Sequence, residues 1–198
     1  MSGTFTSFFL SGWQHIADIH AYDHLLFVMT LCAAFKLNQW KQVLVIITAF
    51  TIGHSVTLIL SSFGYIPSNT ALIDMTIPFT IMITAISNII NKESDKNKKN
   101  RNIKYLIALT FGLIHGLAFA SNFKVMMFGN NIIYPLFSFN LGIEAGQIFI
   151  VCLFMIGLYI YNYFKGDHSK WNIFVSGAGF GIAATIFIEA ISNYSQIR

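Results

Sequence analysis

Six apolar stretches, each about twenty residues or longer and separated by short polar segments, take up nearly the whole chain and leave it few folds to choose from. They run from Gly12 or Tyr22 to Phe35, from Gln42 to Phe63, from Thr70 to Ile90, from Ile103 to Phe123, from Ile132 to Phe164 and from Trp171 to Ile191. About twenty apolar residues in a helix cross the hydrocarbon core of a bilayer. In lipid every backbone N–H and C=O must find its partner inside the protein, so helices are expected; barrel strands would alternate apolar with polar residues, and these stretches do not. With 55% hydrophobic and only 10% charged residues, the chain lies far from soluble composition. The expected fold is all-α: one polytopic membrane domain over residues 1–198, a bundle of about six transmembrane helices.

The charges then orient the bundle. Lys36, Lys41, Lys92, Lys96, Lys98, Lys99, Arg101, Lys104, Lys165 and Lys170 fall on one side of such a bundle, and only Lys124 and Arg198 on the other. Loops rich in Lys and Arg stay in the cytoplasm, so both termini are expected on the non-cytoplasmic side of the membrane, with residues 91–104 as a basic cytoplasmic loop. The net charge of +4 is thus a topology signal and not a nucleic-acid patch. The first 14 residues hold no Lys or Arg, so no cleaved signal is expected. Cys32 and Cys152 both sit in apolar stretches and suggest no disulfide framework.

Placed by depth, the remaining ionisable groups gather on one side. Asp23 and His24 open the first span, His54 lies past the middle of the second, Asp74 opens the third, and His115, Glu144 and Glu189 fall in the outer halves of the last three. The inner halves offer only neutral groups such as Thr48, Thr84, Asn88 and Thr110. A charged residue at mid-membrane costs about 2.5–3.5 kcal/mol on insertion scales, so such residues usually meet one another or a cavity. Taken singly, a histidine here is equally well an interhelical hydrogen-bonding group; a cluster of three with Glu144 is harder to dismiss. Asp74 and Glu189 lie near enough to the interface to be simply solvated.

Local spacing supports convergence. His20, Asp23 and His24 stand at i, i+3 and i+4; Asn140, Glu144 and Gln147 form a polar stripe; Thr51, His54 and Ser55 share a face. Gly112 and Gly116 bracket His115 in a small-xxx-small pattern that admits a neighbouring backbone. Imidazoles with carboxylates suit nickel, zinc, cobalt or iron, so Asp23, His24, His54, His115 and Glu144 are the expected ligands of a divalent transition metal. His20, Thr51, Ser55, Asn140 and Gln147 are expected around them. His15, Asp18 and His20 read equally well as an interfacial amphipathic entry segment. The expected partners are the metal ion and the lipid bilayer, with no nucleic acid, and the class is compatible with a homo-oligomer.

The strings "HAYDHLLFV", "TAFTIGHSVTL", "FGLIHGLAFAS" and "FNLGIEAGQ", in this order on successive spans, resemble the HupE/UreJ family of bacterial membrane proteins. The resemblance covers about residues 12–150 and implies transition-metal uptake, nickel foremost, since members are associated with hydrogenase and urease gene clusters and regarded as nickel permeases. In the permease branch the first helix is similar to H-P-x-x-G-x-D-H; Asp23 and His24 match its last two positions, the proline is absent and Ala21 stands in place of the glycine. A different class would show the same asymmetry between halves: an intramembrane zinc hydrolase, with Asp23 or Glu144 as general base and Ser55 as a donor to an oxyanion. A subunit that binds metal without turnover is a third. The resemblance ranks uptake first.

Overall fold

The computed structural model describes residues 2–18, 22–66, 70–90, 98–126 and 133–196. Among them every regular element is helical: α1 (Ser2–Ala17), α2 (Tyr22–Ala33), a single 3-10 turn (Leu37–Gln39), α3 (Trp40–Ser62), α4 (Thr70–Ile90), α5 (Lys98–Met126), α6 (Ile133–Tyr163) and α7 (His168–Gln196). Four stretches, Leu37–Ser62, Leu72–Ile90, Ile133–Tyr163 and His168–Gln196, are long and apolar enough to cross a membrane. Helices α1 and α2 meet the same criterion only together, and their axes are bent by 68°, the geometry of a broken span or of a re-entrant loop. The fourth expected span falls within α5, which includes the apolar stretch Lys104–Ala120. Part of the expected basic loop is thereby helical: α5 begins at Lys98 and only residues 91–97 lie outside the described structure.

Small residues decide which helices touch. A Cβ on Gly112 would overlap the Phe50 carbonyl, one on Gly116 the His54 carbonyl and Thr57 Oγ1, and one on Gly53 the Leu109 carbonyl, so α3 and α5 meet backbone to backbone. The paired numbers climb together, which means the two helices run in the same direction. Likewise Gly12 abuts the Phe139 carbonyl, Gly142 the Phe9 carbonyl, and Ser138 Oγ donates to the Phe5 carbonyl at 2.6 Å. Helices α1 and α6 therefore also run in parallel. Without a hydrophobic drive between helices in lipid, such close approach with its added dispersion contacts is what holds a pair together.

Helix α7 runs opposite to α4 and α2. Asn88 Nδ2 donates to the Thr30 carbonyl (2.6 Å) and to Ser176 Oγ (3.2 Å), Asn172 Nδ2 donates to the Asn88 carbonyl (2.9 Å), and Ser176 Oγ donates to Asn172 Oδ1 (3.0 Å). This buried network ties α2, α4 and α7 near the end where α2 stops. There His168 Nε2, at the start of α7, donates to the Phe35 carbonyl at 3.0 Å, satisfying a backbone acceptor just past the end of α2.

Candidate functional site

Four helices deliver one histidine each to a common cluster. Ring centroids lie 4.6 Å apart for His15 and His24, 5.9 Å for His15 and His54, and 5.4 Å for His24 and His115. Phenylalanines close the surroundings: Phe119 packs on His15 at 4.0 Å, and Phe27 and Phe50 lie 5.3 and 5.2 Å from His115. His54 and His115 are brought together by the α3–α5 glycine contact just described. His15 arrives because Gly12 docks α1 on α6, and His24 lies in the first turn of α2.

Hydrogen bonds fix how two of these rings present themselves. His115 Nδ1 is 2.9 Å from the Phe111 carbonyl; a carbonyl only accepts, so Nδ1 carries the proton and Nε2 keeps a free lone pair. His24 Nδ1 is 3.1 Å from Asp23 Oδ1, which also accepts the His24 backbone N–H at 2.9 Å in the first turn of α2. An ionised carboxylate also only accepts, so His24 likewise keeps its lone pair on Nε2. Metal-binding histidines are typically held in this way, one ring nitrogen donating to a carboxylate or backbone carbonyl and the other left to the ion.

The free nitrogens are buried without partners. His15 Nε2, His24 Nε2, both nitrogens of His54 and His115 Nε2 are shielded from solvent and make no hydrogen bond. His54 is 0% exposed and His115 1%, so water cannot compensate from the surface. Each buried, unsatisfied polar group costs about 1–3 kcal/mol. Among the described residues, however, no group of three His, Cys, Asp or Glu side chains is arranged to hold a metal ion. The rings are gathered but not converged on one point.

The expected polar stripe of α6 meets α3 elsewhere. Thr48 Oγ1 donates to Glu144 Oε1 and Thr51 Oγ1 to Gln147 Oε1, both at 2.8 Å. Thr48 precedes His54 by six residues, roughly 9 Å along the helix axis at 1.5 Å per residue, so Glu144 is bonded to a neighbouring polar layer nearer the start of α3. Ser55 Oγ donates to the Thr51 carbonyl at 2.7 Å and is engaged with its own helix. Asn140 Oδ1, also on α6, is buried without a partner. His20 lies outside the described residues. Sequence reasoning left His15 open, yet it stands between His24 and His54; the available signal was Gly12, one helical turn before it.

Neither a curated protein nor a solved structure matches the chain. A family model described as HupE / UreJ protein matches residues 1–191, which extends the likeness into α7, where the motifs themselves are silent. Multiple apolar helices, a buried histidine cluster on four of them and this match over almost the full length lead to one statement of kinship: the chain is a multi-pass membrane protein that belongs to the HupE/UreJ family.

Proposed function

We propose that the protein takes up a divalent transition metal, nickel foremost, across the bacterial inner membrane, with His15, His24, His54 and His115 as the imidazole donors. The observation that carries this reading is the set of buried imidazole nitrogens without partners, two of them on rings whose opposite nitrogen is already pinned. Neutral imidazole is a borderline donor suited to nickel, cobalt or zinc. Small rotations of His15, whose Nε2 is unbonded, and of His54, both of whose ring nitrogens are unbonded, would bring the donors together as the ion loses its water. Asp23 contributes a carboxylate at the edge of the cluster. Glu144, with Thr48, Thr51, Gln147 and Asn140, forms a second polar layer in reach of the route towards the start of α3.

Six crossings are part of this reading, with α1 and α2 as one discontinuous span. The parallel and antiparallel pairings of the helices support it, since α3 and α5 run together and α7 runs against α2 and α4. The basic segments then face the cytoplasm and both termini the other side. Secondary transporters place broken helices at mid-membrane substrate sites, where half-helix termini are available to the ion. No nucleotide-binding motif accompanies the bundle, and two charges moving inward through 100 mV gain about 4.6 kcal/mol from the roughly 2.3 kcal/mol per charge available, which is ample.

Elemental mass spectrometry of protein purified from cells grown in mixed metals tests the assignment. Weakly held nickel or cobalt, lost on dialysis and absent from His54→Ala and His115→Ala, with nickel accumulation in proteoliposomes, is expected. One tightly held zinc per chain lost in both variants, without uptake, would replace permease by the intramembrane zinc hydrolase. Metal bound equally by wild type and both variants would remove the cluster from the mechanism.

A further inference from the structure

Three carboxylates from three helices line one cavity of about 370 Å³: Asp23 at the start of α2, Asp74 near the start of α4 and Glu189 near the end of α7, with Tyr22, Asn193 and Tyr194 beside them. Among the described residues no Lys or Arg lines it. Asp23 belongs at once to this cavity and to the histidine cluster, because its Oδ1 holds His24 Nδ1. His24 is itself 94% buried by the 6% exposure of the residue, and its Nε2, on the opposite side of the ring, has no partner. The cavity thus ends on Asp23, and directly behind that carboxylate stands a buried imidazole whose Nε2 is unpartnered.

We propose that this cavity is an entry vestibule that captures a hydrated divalent cation and passes it, by way of Asp23, to His24 and the other imidazoles. The inference rests on the uptake reading. Size agrees: a water occupies about 30 Å³, so an ion with six waters needs roughly 200 Å³ and enters without shedding its shell. Chemistry agrees as well. Carboxylate oxygens are hard donors that attract hydrated divalent ions with little discrimination, whereas imidazoles favour transition metals. Capture and selection are therefore divided between two layers, with Asp23 at their boundary. A concave site of one charge sign also focuses the field, raising local cation concentration and the rate of capture in a salt-dependent way.

The test compares wild type, Asp74→Asn/Glu189→Gln, Asp74→Glu/Glu189→Asp and His54→Ala/His115→Ala in proteoliposomes, with two readouts. The first is radioactive nickel uptake against concentration at low and high salt. The second is luminescence of terbium, an oxygen-seeking ion that Tyr22 and Tyr194 would sensitise from within the vestibule. Asp74→Asn/Glu189→Gln should raise the KM for nickel roughly tenfold at low salt with kcat unchanged, flatten the salt dependence and abolish the terbium signal. Asp74→Glu/Glu189→Asp should restore all three, and His54→Ala/His115→Ala should lose uptake yet keep terbium. A wild-type KM, salt dependence and terbium signal in Asp74→Asn/Glu189→Gln would overturn the vestibule, as would equal impairment in the charge-preserving pair. Should wild type carry no nickel while terbium still depends on Asp74 and Glu189, the uptake reading fails and the cation site stands.

Discussion

The pinned rings of His24 and His115 give the residue scale its sharpest expectation. Asp23 orients His24 and keeps the lone pair on Nε2, so Asp23→Asn should weaken nickel binding by about 10–100-fold, the usual cost of losing such a support. Isothermal titration would read the affinity, and an unchanged circular-dichroism melt would separate this effect from unfolding. His15→Ala should reduce binding as His54→Ala does, because His15 bridges His24 and His54; binding untouched in His15→Ala would return that residue to packing. His24, His54 and His115 were legible as candidates from depth alone, since ionisable groups are costly in lipid wherever they sit. His15 was not, because an amphipathic entry segment and a docked half-helix share the same local pattern. Glu144 was legible as functional-looking, but its partner was not: a stripe on one helix does not say which layer of another it meets.

At the scale of elements, glycines do the positioning. Gly112→Ala would drive a Cβ into the Phe50 carbonyl, and backbone cannot move aside as a flexible side chain can, so α3 and α5 must separate. A loss of about 1–3 kcal/mol is expected, read as a lower unfolding midpoint in detergent, accompanied by loss of metal because His54 and His115 ride on these helices. Gly177→Ala offers the contrast. Nothing lies within 4 Å of a Cβ there, and replacing a mid-helix glycine should be neutral or stabilising by up to about 1 kcal/mol. The helices themselves follow from apolar length, and the bracket of Gly112 and Gly116 around His115 signalled a close neighbour. What stayed hidden was the identity of the neighbour, and that the chain before Phe35 forms two helices bent by 68°.

For the whole molecule, sidedness is the property to measure. In a Cys32→Ala/Cys152→Ala background, a cysteine at Ser94 should resist a membrane-impermeant thiol reagent applied outside spheroplasts, and one at Ser195 should react. The reverse pattern would invert the bundle and place the acidic cavity in the cytoplasm. Sequence alone determined the class, the helical architecture, the charge asymmetry and the family motifs, because hydropathy, loop charge and spacing are local properties summed along a chain. Only the tertiary structure decided that α1 pairs with α6 and α3 with α5, that four histidines meet while Glu144 turns to Thr48, and that Asp23 joins a carboxylate cavity to buried imidazoles. Those outcomes depend on which backbones come close enough to touch, and that is set by glycines and hydroxyls meeting across helices far apart in sequence.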